Sequence, residues 1–275
     1  MNIFRRLKSG IRRLITPPQR VKLVPVEVPV FHNALLKGRR ALITGGGSGI
    51  GLAIAEACGR SGASVVLAGR TVSRLEDASH NLERLGVEVS VADLDVCDVA
   101  SFAGKLDKIG DFDILVNNAG FVGGGVFGTT SEVDYNRVLE TNLRGAYFLS
   151  QEVSSRWIKN KVKGNILNIC SASSLRPGES PYILSKWGLR ALTIGMARRL
   201  VKHGIVVNGL APGCTNTDQF SRDGDLTNGR NPSGRLVTTT EIGNMAVVMV
   251  SSLARMVVGD VLFVTGGGAI TTLDD

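Results

Sequence analysis

The chain has 275 residues, 43% of them hydrophobic and 20% charged, which allows a packed core and excludes wholesale disorder. Its net charge of +8 is local: residues 1–40 hold ten Lys and Arg against the single acid Glu27, while the other 235 residues carry 22 basic and 23 acidic side chains. Nucleic-acid binding by the main domain is therefore disfavoured, and no uncharged apolar run reaches the ~18 residues that a membrane-spanning helix needs.

In chain order, residues 1–16 (MNIFRRLKSGIRRLIT) place Ile3, Phe4, Leu7, Ile11, Leu14 and Ile15 at helical spacing among five cations, a short basic amphipathic helix. Such a helix suits peripheral contact with an anionic membrane. An acid-free, Arg-rich start also fits a mitochondrial presequence, and a solvated tail is the third reading. Residues 17–38 set Pro17, Pro18, Pro25 and Pro29 among valines, an extended linker. Residues 1–37 thus read as arm and linker, and 38–275 as one domain.

From there strands and helices alternate. The pattern predicts strands at 41–44, 64–68, 87–93, 113–117, 165–170, 204–210 and 261–264. Helices are predicted at about 49–61, 72–85, 98–109, 131–158, 181–202 and 239–254. Valine-rich strands separated by helices imply an α/β fold, a doubly wound parallel sheet of Rossmann type covered on both faces. The four cysteines, Cys58, Cys97, Cys170 and Cys214, lack metal-ligand spacing and suit a reducing, cytoplasmic setting, so no metal is expected.

The 34 glycines cluster at 45–51, 123–125 and 266–268, where backbone is expected close to a ligand or in special turns. The first strand runs into Thr44-Gly45-Gly46-Gly47-Ser48-Gly49-Ile50-Gly51 and a helix, a turn that lets backbone N–H groups approach a pyrophosphate. The second strand ends Ala68-Gly69-Arg70, with a cation where an NAD enzyme would place an acid, so NADP is preferred over NAD. Asp93 and Asp95 follow the third strand, where a carboxylate could meet an adenine amino group. Asn117-Asn118-Ala119-Gly120 follows the fourth.

Tyr182 and Lys186 are spaced i, i+4 on one helix face. A phenol of pKa ~10 is a poor acid or base at neutral pH, and a neighbouring cation favours its ionised form. Ser171 ends the fifth strand, where its hydroxyl can donate to a substrate oxygen gaining charge. Asn142 lies in the helix before that strand.

Over residues from about 38 to 270 the chain resembles the short-chain dehydrogenase/reductase family. The resemblance rests on TGGGSGIG (44–51), NNAG (117–120), Asn142, Ser171, YILSK (182–186) and PGCTNT (212–217), in the family's order. It implies Tyr182 as proton donor to a carbonyl or base toward an alcohol, and Lys186 as holder of the nicotinamide ribose that depresses the Tyr182 pKa. Ser171 would orient the substrate oxygen and Asn142 would position a water. Pro212, Gly213 and Thr217 would border the nicotinamide, Asp95 with Val96 would serve the adenine side, and Gly45, Gly47, Ser48, Gly49, Ile50, Gly51, Asn118, Ala119 and Gly120 would line the cofactor.

A homodimer or homotetramer is implied in the same way. Ser171 lies 11 residues before Tyr182, about two fewer than usual in the family, so the loop 172–181 is short and Ser173 or Ser174 is the alternative hydroxyl. Trp187 reads as packing or subunit contact, and Cys170 as facing away from the site. Segment 214–236 reads as a lid whose Arg222, Arg230 and Arg235 lean toward a polar or anionic substrate, such as a sugar-like ketone or a 3-oxoacyl thioester. The alternative class is a nucleotide-bound scaffold or regulator at a membrane surface, which would have no need of Ser171, Asn142, Tyr182 and Lys186 together.

Overall fold

The computed structural model describes residues 34–217, 228 and 231–269; the expected arm, most of the linker, Arg222 and Arg230 lie outside them. Seven parallel strands form one sheet in the order β3-β2-β1-β4-β5-β6-β9: β1 Arg40–Thr44, β2 Ser64–Gly69, β3 Val89–Asp93, β4 Ile114–Asn117, β5 Asn165–Ile169, β6 Val206–Pro212 and β9 Val261–Val264. The short pair β7 (Thr215–Asn216) and β8 (Val237–Thr238) stands apart from it. The central strands are apolar nearly throughout because helices cover both faces.

The helices are α1 Gly49–Arg60, α2 Val72–Arg84, α3 Phe102–Ile109, α4 Glu132–Leu139, α5 Gly145–Asn160, α6 Pro181–Leu200 and α7 Thr239–Val250. In α2, Leu75, Ala78, Ser79 and Leu82 are buried at helical spacing and the other face is solvated. One face of the sheet packs Ile54 and Cys58 of α1 against Ile242 and Ala246 of α7, and the other buries Phe102, Leu106, Leu149, Val153 and Trp157. Leu36 is fully buried in the first of these cores and its N–H donates to Ser61 O, so the fold takes in residues ahead of the expected start at 38.

Two helices differ from expectation. The predicted 131–158 helix is split by a π turn over Glu140–Arg144, which separates α4 from α5. The predicted 239–254 helix stops at Val250, because Ser251 is extended and its hydroxyl caps a new 3-10 turn at Leu253 N. Strand order reverses between β1 and β4, and the cleft opens at the carboxyl ends of the strands beside this switch point.

Candidate active site

The cleft encloses about 910 Å³. At one end, β1 turns into α1 through Gly45, Gly47, Ser48, Gly49 and Ile50, all lining the cleft. Gly45 has φ of +65°, a conformation that side chains disfavour. Gly51 does not line the cleft: a Cβ there would lie 2.2 Å from Gly45 O and 2.4 Å from Asn118 Nδ2, so this glycine lets α1 close on the strand ends. Ser48 offers no side-chain cap, leaving the first N–H groups of α1 for an anion in the cleft. The glycine turn, with no Cβ in the way, fits a pyrophosphate.

Thr44 organises the β1–β4 junction. Its hydroxyl donates to Val116 O at 3.2 Å and accepts from Asn118 N at 3.0 Å and Ala119 N at 3.1 Å. Asn118 Nδ2 donates to Thr44 O and Gly45 O at 3.0 and 3.1 Å. Asn118, Ala119 and Gly120 thereby form the cleft floor. Asp95 and Val96 line the cleft, and Asp95 Oδ1 accepts from Cys97 N at 2.9 Å. Asp93 lies outside it, paired with Lys105 at 2.5 Å. Arg70 is exposed on the cleft wall, and Arg74, one helical turn on, lines the same end. Neither makes an ion pair among the described residues.

At the other end, α6 starts under Ser180, whose Oγ accepts from Ile183 N at 3.3 Å, with Pro181 at the first helical position. This start sets Tyr182 and Lys186 into the cleft beside Ser171 at the end of β5. Tyr182 and Ser171 face each other across the cleft lining, and Ser171 Oγ accepts from Ser173 N at 3.1 Å. Ser174 is buried and turned away, its Oγ donating to Ser171 O at 2.7 Å. Lys186 Nζ donates to Ile169 O at 2.8 Å and lies 5.9 Å from the centre of the Tyr182 ring.

Burial pushes the Tyr182 phenol above its ordinary value, and the neighbouring Ser171 hydroxyl only partly opposes this. That reverses the depression expected from Lys186. The ammonium is directed at a backbone carbonyl and is itself lowered by burial to about 8. Burial likewise holds Cys170 as a neutral thiol, packed with Leu189, Ala211 and Val261.

Asn142 does not line the cleft. Its Oδ1 accepts from Phe121 N at 2.7 Å, and its Nδ2 donates to Phe121 O and Ser185 Oγ, each at 3.0 Å. Both Nδ2 hydrogens and one lone pair of Oδ1 are thereby engaged, and the carboxamide ties the Phe121 backbone to α6.

Pro212, Gly213 and Thr217 line the cleft as expected. Of the expected substrate cations, Arg235 is instead committed to Glu241, with bonds of 2.6 and 3.0 Å from its two terminal nitrogens. Sequence reasoning missed Arg74, Phe121 and Arg176, all on the cleft wall. Arg74 had a signal, its i, i+4 relation to Arg70; Arg176 depends on how the short loop folds. Trp187 lies outside the cleft, and its Nε1 pins that loop by donating to Arg176 O at 2.9 Å. Among the described residues no helix is long and apolar enough to cross a membrane, and no group of three His, Cys, Asp or Glu is placed to hold a metal.

Residues 39–225 match the family model for short chain dehydrogenase. The chain is 37% identical over 244 residues to gluconate 5-dehydrogenase of Gluconobacter oxydans, covering 84% of this chain and 95% of that protein. It is 34% identical over 243 residues to the 3-oxoacyl-[acyl-carrier-protein] reductase of Escherichia coli, covering 84% of this chain and 97% of that one. Among solved structures, it superposes on gluconate 5-dehydrogenase from Burkholderia cenocepacia, a complex with NADP and tartrate, with a TM-score of 0.80 and 32% identity. That match covers 87% of this chain and 99% of the other.

Proposed function

The chain belongs to the short-chain dehydrogenase family, and from that premise we propose that it interconverts a ketone and a secondary alcohol with NADP(H), using Tyr182 as proton donor or acceptor. The observation that carries the reading is the convergence of Ser171, Tyr182 and the buried Lys186 in one cleft, with the Lys186 ammonium 5.9 Å from the centre of the Tyr182 ring. The nicotinamide, when bound, supplies or accepts the hydride.

The residues divide the remaining work. The glycines of 45–49 and the start of α1 receive the pyrophosphate, and Arg70 with Arg74 receives the 2′-phosphate that distinguishes NADP from NAD. Ser171 donates to the substrate carbonyl oxygen as it gains negative charge. Tyr182, held protonated by burial, delivers a proton to that oxygen in the direction of reduction. Lys186 stabilises the phenolate left behind, and Asn142 acts through the wall it builds at Phe121. Gluconate-type oxo acids and 3-oxoacyl thioesters are the two substrate classes that the relatives suggest.

Tyr182→Phe tests the reading. Proton transfer contributes about 10²–10⁴-fold, so NADPH oxidation with a ketone such as 5-keto-D-gluconate should fall by that factor while NADPH fluorescence on binding persists. Undiminished turnover rejects the assignment.

A further inference from the structure

The substrate end of the cleft is, among the described residues, electrostatically one-sided. Among the described residues, the charged ones lining the cleft are Arg70, Arg74, Asp95, Arg176 and Lys186. Arg70, Arg74 and Asp95 follow β2 and β3, at the end away from Ser171 and Tyr182. Lys186 is buried and directed at Ile169 O. Among the described residues, Arg176 is therefore the exposed cation left for a ligand beside the reacting groups.

Its surroundings are unusual for a surface arginine. Arg176 lies in the short loop between Ser171 and Tyr182, five residues past one and six before the other. Its backbone carbonyl is anchored by Trp187, and one guanidinium nitrogen donates to the carbonyl of Gly268. Both fix the side chain against the cleft without neutralising it. It makes no ion pair among the described residues, and Glu179, the acid nearest in sequence, does not line the cleft. Arg235 makes the contrast: its fork is already filled by Glu241.

A planar guanidinium held in place, with donors left over and no carboxylate of its own, matches a carboxylate in two-pronged geometry. We propose that Arg176 is a specificity-determining residue that receives the carboxylate of the substrate, so that the chain acts on oxo acids and hydroxy acids in preference to uncharged counterparts. The proposal rests on the hydride-transfer reading above and narrows its substrate class. It separates the two classes the relatives suggest, because a 3-oxoacyl thioester is uncharged at its reacting end.

The test is a ratio. Full-length protein saturated with NADP⁺ is titrated calorimetrically with D-gluconate and with D-gluconamide, in which a neutral amide replaces the carboxylate. The wild type should bind the acid at least tenfold more tightly than the amide. In Arg176→Ala that ratio should fall to about one, and Arg176→Lys, a point charge without the fork, should keep part of it. If Arg176 only ties the loop to Gly268, its loss weakens both ligands alike and leaves the ratio intact, which overturns the proposal. A wild type that binds both equally, or neither, overturns it as well. The hydride-transfer reading fails by a different sign: full turnover in Tyr182→Phe.

Discussion

Asn142 brackets the backbone of Phe121, accepting from its N–H at 2.7 Å and donating to its carbonyl at 3.0 Å. Asn142 is 1% exposed, so the bracket is held from within the core while Phe121 itself is half-buried on the cleft wall. Asn142→Ala removes both of these bonds and the link to Ser185, at about 1–3 kcal/mol. Urea unfolding should show that loss. The wall formed by Gly120 and Phe121 loosens with it, so the kcat of the folded variant should fall at least tenfold. Unchanged kcat would show that the bracket serves stability alone.

The cation pair at the other end predicts cofactor choice. A charge-assisted hydrogen bond contributes about 1.5–3 kcal/mol, or roughly ten- to hundredfold in affinity. Arg70→Ala and Arg74→Ala should each lower the preference for NADPH over NADH by about tenfold, and the double variant should remove it. Paired titrations followed by cofactor fluorescence decide this. Equal binding of the two cofactors by the wild type would assign both arginines to the solvated surface.

Much of this was legible beforehand, for identifiable reasons. Strand-to-helix alternation is carried by local apolar periodicity, so the elements fell close to where 41–44, 64–68 and 261–264 placed them. Motif residues such as Ser171, Tyr182 and Lys186 converge because each follows directly from the end of a strand or the start of a helix. The π turn at 140–144 was not legible, since Glu-Thr-Asn-Leu-Arg continues the helical pattern and its register shift shows only in three dimensions. The direction of the Tyr182 shift was missed too. Spacing reveals a nearby cation, whereas desolvation depends on everything packed around the phenol.

Opposed perturbations of Tyr182 and Lys186 predict the pH profile of reduction. Lys186 is lowered to about 8, and above that pH the free enzyme loses the charge that stabilises a phenolate. Tyr182 is shifted upward and stays protonated there, so the supply of protons is not what fails first. kcat/KM for the carbonyl substrate should be flat below pH 8 and fall about tenfold per unit well above it. A profile that stays flat to pH 10 would contradict the buried, weakened ammonium.

Cys58 makes a separate prediction about stability. It is fully buried on the inner face of α1, and burial raises its thiol from 9.0 to about 12. Between those values the unfolded chain gives up a proton that the folded chain keeps, so stability falls as pH rises past 9, by about 1.4 kcal/mol per unit. Lys186 acts with the opposite sign between about 8 and 10.5, where the unfolded chain holds the extra proton and rising pH favours the fold. The wild-type curve therefore mixes the two, and the informative quantity is the difference between wild type and Cys58→Ala. At pH 7 that variant should be about 1 kcal/mol less stable, from the lost packing of the sulfur. At pH 10 the deficit should vanish or invert, because alanine has no thiol to keep protonated. Urea unfolding at pH 7, 9 and 10 measures the difference directly, and a deficit constant across the three would mean that Cys58 ionises as readily folded as unfolded.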